Sequence, residues 1–345
     1  MRAPGDILLT PAEWLPAGTV KAVDALADGL ISEDETKAMG YGQLPVSEVE
    51  PAPGMAVHAG RRALERAGTD PAMVAAVLHA WTHYQGHDFW SPAHYVAARA
   101  GAVNSVPLGI QQMCNGGGAA LETALARLIA EPGYGPVLIT TGDRFHGPGF
   151  DRWAGDYGVW YGDGGTAAVV ERREPGTAEA LQLCALVTWA APDLEVVHRD
   201  TAGFQDVPHQ DRPTIDIRRT KKAFLTGVGR DPFVARLRET TTQVVTAALG
   251  EADLDPGDPS LRAVLLPRLG QATARDIYGP AVAVVTSAPV VDLGATTGHL
   301  GAGDLFSNLA ALSGDGPWGL RPGEHAVVLS AGAGFTWSGV VVRRP

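Results

Sequence analysis

The sequence predicts an α/β protein built from two similar halves, and three observations carry that reading. Strand-length apolar runs alternate with amphipathic helical segments along the chain. The close of the first half, VLITTGD followed by GTAAVVERR, is echoed at the end of the second by VVLSAGAG followed by SGVVVRR. At 345 residues, with 45% hydrophobic and 19% charged composition, the chain can bury a large core, as one big domain or as two fused halves.

Each element has its own signal. Ser32 followed by Glu35 has the form of a capping box opening a short helix. Residues 55–67, rich in Ala, Leu and Arg and ended by Gly68, predict an amphipathic helix; 74–80 predicts a strand. An aromatic loop at 81–90 precedes a second helix, 93–100, again closed by glycine, and 137–141 and 165–170 predict buried strands. The second half repeats this order more loosely: strand 180–190, helix 232–249, strand 263–266, a glycine-rich turn and helix near 299–312, then strands 326–329 and 337–342. Duplicated α/β halves of this kind pack helices between mixed sheets. The halves are expected to be 1–174, carrying a nucleophilic cysteine, and 175–345.

Composition narrows the function. No apolar run reaches the roughly 18 residues of a spanning helix, and Asp6, Pro11 and Glu13 interrupt the stretch where a signal peptide needs an apolar core. A soluble, cytoplasmic protein with no membrane partner is expected. The net charge of −11 disfavours nucleic acid and anionic membrane, which bind clustered Lys and Arg. One basic segment, Arg218, Arg219, Lys221 and Lys222, reads either as a solvated basic turn or as a phosphate-recognising patch, with Arg218 and Arg219 as the candidate phosphate contacts. Neither a GxxxxGK[ST] phosphate loop nor a dinucleotide fingerprint occurs, and no metal or redox cofactor is expected.

Cys114 and Cys184 are 70 positions apart with no CxxC, which suggests neither a disulfide framework nor a zinc site. Cys184, inside the strand-like LQLCALV, reads as a small buried hydrophobe. Cys114 stands just before a helix that opens with Asn115, Gly116, Gly117 and Gly118. Three glycines in the first turn of a helix are poor helix formers, so they imply close backbone packing on a neighbour. A cysteine at such a helix start feels unpaired N–H groups and the positive end of the helix dipole, which favour the thiolate. Cys114 is the candidate nucleophile.

Taken in order, APGMAVHAGRRALERAG (52–68), the cysteine segment GIQQMCNGGG, VLITTGD, the turn YGDGGTAAVV and the closing AGAGFTW resemble the ketoacyl synthase III family over nearly the whole chain. The resemblance implies a thiolase-like fold of five α-β-α-β-α layers, a homodimer, and Cys114 as the acyl-accepting nucleophile. It also implies an oxyanion hole from the backbone N–H groups of Cys114 and Ala333, and a place for Phe89 at the dimer interface, reaching the partner's acyl pocket.

Two departures matter more than the matches. Condensing members hold the malonyl carbonyl with a His and an Asn; the corresponding segments here put Arg268 and His299 in those places. What remains is Cys114, His299 and Asp304, the composition of a nucleophile, a base and an orienting acid. The GHLGAGD pattern resembles a branch of ketoacyl synthase III-like acyltransferases of polyketide and antibiotic pathways that move an acyl group to oxygen or sulfur. The expected activity is therefore transfer of an acyl group from acyl-CoA or acyl carrier protein, through a Cys114 acyl-enzyme, to a sugar or polyketide hydroxyl without decarboxylation. The alternatives are a starter-unit ketoacyl synthase III performing decarboxylative condensation, and a non-catalytic partner of another synthase. The structural reading of His299 is a turn histidine, and of Asp304 a helix N-cap.

Other residues remain candidates. His83, His87 and Asp88 suggest a metal only if residues 81–90 were helical, and Gly86 favours a loop. His198 reads as a surface histidine or a further active-site group. Trp153 and Trp160, flanking Asp156, either line an acceptor groove or pack.

Overall fold

The computed structural model describes residues 1–174, 179–199, 203–208, 210 and 212–345. The first half contributes strands β1 (Ile7–Trp14), β2 (Ala76–Ala80), β3 (Val106–Ile110), β4 (Val137–Asp143) and β5 (Gly164–Arg172). The second contributes β6 (Leu181–Ala190), β7 (Leu261–Leu265), β8 (Val290–Val291), β9 (His325–Gly332) and β10 (Thr336–Arg343). They form one continuous sheet in the order β8-β7-β9-β10-β6-β1-β5-β4-β2-β3. Counted within each half, both runs read 3-2-4-5-1 from their outer edge, so the repeat is written into the topology. In each, the three strands nearest the edge are parallel and the last two antiparallel. The halves join where β1 pairs antiparallel with β6 through Leu8 opposite Gln182 and Leu9 opposite Leu181. The expected boundary at 174/175 abuts residues 175–178, which lie outside the described residues.

Alternation along the strands builds five layers. Leu78, Ile139, Leu265, Val328 and Val340 face inward onto two central helices, α3 (Gly116–Ala130) and α6 (Asp304–Ser313), through Leu121, Leu125, Phe306 and Leu309. Their neighbours Val77 and Leu138 face outward onto α1 (Ala52–Ala67) and α2 (Pro92–Ala100). Val264, Val327 and Val341 face the other outer layer, which includes α5 (Arg230–Glu251), via Val244, Val245 and Ala248. Strands covered on both faces read as near-continuous apolar runs, and β2 and β4 are buried at every position, including the hydrogen-bonded His79 and Asp143. This is the thiolase-like architecture expected from the sequence.

Several expectations need correction or extension. Strands β1 and β3 were not anticipated. The basic segment at 218–222 is not a turn: it lies in helix α4 (Ile217–Val228), whose N-cap Asp216 accepts the Arg219 N–H at 3.0 Å. Ser32 and Glu35 do form the capping box of the short helix Glu33–Met39. Cys184 lies in β6 beside the outer core, where burial pushes its thiol up to about 11. No helix among the described residues is long and apolar enough to cross a membrane.

Candidate active site

The nucleophile turn is held tightly from several sides. After the edge strand β3 the chain doubles back, with Met113 in the left-handed region at φ 48°, unusual for a non-glycine residue. Fully buried Asn115 anchors the turn by donating from Nδ2 to Gln112 Oε1 (2.9 Å) and Ser338 Oγ (3.1 Å). A Cβ on Gly117 would stand 2.7 Å from the Ala302 carbonyl oxygen, and one on Gly332 would stand 2.4 Å from the Asn115 nitrogen. These glycines let helix α3 press on the 299–304 loop and bring the hairpin after β9, with Ala333, against the cysteine turn.

His299 arrives from that loop. Its N–H donates to the Trp160 carbonyl (2.9 Å) and its carbonyl accepts from the Gly162 N–H (3.0 Å), while the ring stands edge-on to Tyr161 at 5.4 Å. Imidazole Nδ1 is 2.6 Å from Asp304 Oδ2. That leaves Nε2 for the side of the ring where the Cys114 sulfur lies close enough to act on the imidazole's charge. Asp304 also accepts the N–H groups of Leu300 (2.9 Å) and Arg268 (2.8 Å), so both its oxygens are engaged. Asp304 is the first residue of α6 and not its N-cap, a place Gly303 takes; there the helix dipole favours its negative charge.

Burial opposes charge on His299, yet the Asp304 carboxylate and the Cys114 sulfur together raise its pKa well above the ordinary value. Asp304 is the complement: burial pushes it up, but His299, then Arg268, hold it below the usual carboxylate value. The side chains therefore favour an imidazolium paired with the Asp304 carboxylate beside the Cys114 sulfur, an arrangement that can support attack on an acyl carbonyl and later accept a proton.

Sequence reasoning brought Cys114, His299 and Asp304 forward, and the fold assembles them. It missed Tyr161 and Tyr278, both buried and both close enough to feel charge on Cys114. Tyr161 donates its hydroxyl to Asp156 at 3.0 Å. Tyr161 opens the YGDGGTAAVV turn, but nothing in that turn points its ring at the site, and Tyr278 lies in none of the segments singled out above. Arg268, at the site of the condensing histidine, turns its guanidinium to Asn308 and Thr297.

The remaining candidates divide. Arg218 bonds Glu35 Oε1 (2.8 Å) and the Asp156 and Trp153 carbonyls, and together with Arg212, Arg219, Lys222 and the carboxylates Asp151 and Asp216 it lines a groove of about 620 Å³. Trp153 and Trp160 are buried against each other at 4.8 Å and pack. His198 is not a surface residue: it lies beside Phe335, where burial and then Lys221 push it down to about 4. His83 packs on Phe145 and Phe150, His87 on Trp90, and no His, Cys, Asp or Glu cluster among the described residues has the makings of a metal site. Phe89 is fully exposed on the 81–90 loop. The base of that loop is tied down by Asp143, which accepts the Thr82 and His83 N–H groups on one oxygen and the Ala302 N–H on the other.

Comparison with known proteins bears on the fold and the family likeness. The family model for 3-oxoacyl-[acyl-carrier-protein] synthase III matches residues 108–185, a span that opens on β3 and includes Cys114. A beta-ketoacyl-[acyl-carrier-protein] synthase III from Roseiflexus sp. (strain RS-1) is 26% identical over 295 residues, covering 84% of this chain and 82% of that protein. Among solved structures, the acyltransferase ChlB3 superposes with a TM-score of 0.87 at 29% identity, over 98% of both chains. The 3-oxoacyl-[acyl-carrier-protein] synthase III of Aquifex aeolicus VF5 superposes at 0.75 with 20% identity, over 97% of this chain and 99% of that one. The mirrored 3-2-4-5-1 sheet, the glycine-lined cysteine turn and these likenesses lead to one conclusion: the chain has the thiolase-like fold and is similar to the ketoacyl synthase III enzymes.

Proposed function

We propose that the protein is a non-decarboxylating acyltransferase. The observation that carries this reading is His299 held between Cys114 and Asp304 at a Nδ1–Oδ2 distance of 2.6 Å. In the first step the Cys114 thiolate attacks the carbonyl of an acyl-CoA or carrier-protein thioester. The oxyanion rests on the Cys114 and Ala333 amides, and the departing thiolate takes the proton of the His299 imidazolium. Acylation removes the sulfur's charge, one of the causes that raise His299, so the imidazole becomes a more willing base. An acceptor hydroxyl then attacks the thioester; His299 Nε2 takes its proton, Asp304 steadies the imidazolium, and collapse of the intermediate returns that proton to Cys114 as ester departs. No step draws on a metal or a redox cofactor.

Two further points support transfer over condensation. The guanidinium of Arg268 is engaged by Asn308 and Thr297, so the histidine donor of condensing enzymes has no counterpart on that segment. The likeness to the acyltransferase ChlB3 points the same way. The groove bearing Arg219 and Lys222 suits the phosphates of CoA or of a carrier's phosphopantetheine arm. A sugar or polyketide hydroxyl as acceptor rests on analogy with the family branch.

Intact-protein mass after incubation with acetyl-, propionyl- and malonyl-CoA tests the reading. An adduct absent in Cys114→Ala and retaining the malonyl carboxylate supports it. With an acceptor supplied, His299→Ala should accumulate that adduct, its transfer slowed about 100-fold or more. Decarboxylated adduct or carbon dioxide release would establish condensation instead, and the absence of any adduct, from CoA or carrier-protein donors alike, would leave the non-catalytic alternative.

A further inference from the structure

Arg268 has no part in the steps above, yet its side chain spans the segments that hold the base. The residue is 4% exposed. Its backbone N–H donates to Asp304 Oδ2, its Nε to Asn308 Oδ1 at 3.0 Å and its Nη1 to Thr297 Oγ1 at 2.8 Å. Thr297 precedes His299 by two residues, and Asn308 is one turn along α6 from Asp304. Asn308 in turn donates to the Leu266 carbonyl, and Tyr41 donates to the Arg268 carbonyl, so the framework closes on the turn after β7.

A buried guanidinium whose two assigned side-chain acceptors are a neutral amide and a hydroxyl would be costly to desolvate without a nearby negative charge. The carboxylates that feel its charge are Asp304 and Asp292. We infer that Arg268 is a positioning residue for catalysis: it fixes the His299 loop and Asp304 relative to each other, and its charge tempers the pull of Asp304 on the His299 proton. An imidazolium too firmly held cannot shed its proton to become a base; a positive charge behind the carboxylate moderates that hold. Arg268 is among the charges that hold Asp304 below the usual carboxylate value, after His299 itself. The other groups facing this pair are the Cys114 sulfur from the α3 turn, Tyr161 beside the imidazole, and Tyr41 and Asp292 behind Asp304.

The inference rests on the acyl-enzyme reading and is tested on the same protein. Cys114 is loaded from whichever acyl-CoA gives the adduct, or from p-nitrophenyl acetate, and decay of the adduct to N-acetylcysteamine is followed by intact mass across pH. Wild type, Arg268→Met and Arg268→Lys are compared, with thermal melting to select folded variants. Arg268→Met should move the rising limb of the pH profile upward by about one unit, near tenfold slower decay on that limb, the size expected for losing one partly screened charge. Arg268→Lys should keep the limb close to wild type while slowing decay through its lost fork geometry. A folded Arg268→Met whose limb does not move overturns the inference, whether its rate is unchanged or merely lower; so does a limb displaced equally in Arg268→Lys. If Arg268→Met does not fold, Arg268→Lys and Arg268→Gln decide: the limb must follow the charge. Failure of the wild type to form a Cys114 adduct overturns the acyl-enzyme reading instead, so the two failures are distinct.

Discussion

Burying an imidazolium costs several kcal/mol unless a partner is supplied, and at His299 the partners are Asp304 on one side and the Cys114 sulfur on the other. The sign of the linkage follows. His299 is raised on folding, so its imidazolium contributes stability that is complete below its unfolded value and is lost as pH climbs through the raised one. Asp304 is lowered, so its contribution is present above its unfolded value and is lost as pH falls through the lowered one. His79 behaves in the opposite sense. Buried between Thr140 (3.0 Å) and Gln85 (3.1 Å), it is pushed down to about 4, because burial disfavours its charge. Acidification from pH 6.5 to 4 protonates it in the unfolded chain first and removes about 3 kcal/mol of stability at that one site. Asp143 and Asp292, both raised to about 6 by burial, contribute with the reverse slope, so the effect is read by difference. In urea titrations of wild type and His79→Gln, the stability advantage of wild type should shrink steadily across that window. An advantage independent of pH would mean that His79 is charged in the fold.

At the scale of the element, the segment that decides the site is the first turn of α3. Its glycines were read as a demand for close packing, and at Gly117 the demand is concrete: a methyl group there meets the Ala302 carbonyl and the Phe306 ring. Gly117→Ala should destabilise the protein by about 1–3 kcal/mol through overpacking and pry the cysteine turn from the His299–Asp304 loop. Thermal melting reads the first effect and acyl-enzyme turnover the second; unchanged turnover would show that the loop yields. Elements with both faces buried, β2 and β4, were legible because burial writes continuous apolar runs. Strand β3 escaped because VPLGI sits at an edge, where Pro107 and Gly109 are tolerated and the alternation is lost to solvent. Strand β1 escaped because Pro11 argues against a central strand; the fold admits it because β1 pairs with β6 only at Leu8 and Leu9, leaving Pro11 beyond that ladder. In the site, Cys114, His299 and Asp304 were legible through the family pattern, whereas Tyr161 and Tyr278 join only through tertiary packing. His198 was misjudged because a single histidine in EVVHRD carries no periodic signal of the Phe335 ring it meets.

At the scale of the molecule, the two ends of the sheet differ. One ends in the two-residue strand β8, too short to recruit a neighbour. The other ends in five-residue β3, with Val106 and Leu108 exposed, near the 81–90 loop that displays Tyr84 and Phe89. An edge of this kind is a template for pairing, and it is where the homodimer that the resemblance implies would form. Leu108→Arg should convert a dimer to a monomer in sedimentation velocity and, if Phe89 serves the partner's acyl pocket, broaden the range of acyl chains accepted. A protein that stays dimeric would place the interface elsewhere.

The mirrored strand order has a consequence for how such a site could arise. Helices α3 and α6 occupy the same place in the repeated unit, each following its third strand and each entering the shared middle layer. One copy retains the sulfur and the other the imidazole–carboxylate pair, so the chemistry belongs to the seam and to neither copy alone. Duplication here is more than enlargement: it places two similar modules so that their equivalent helix starts meet at the seam and share one task.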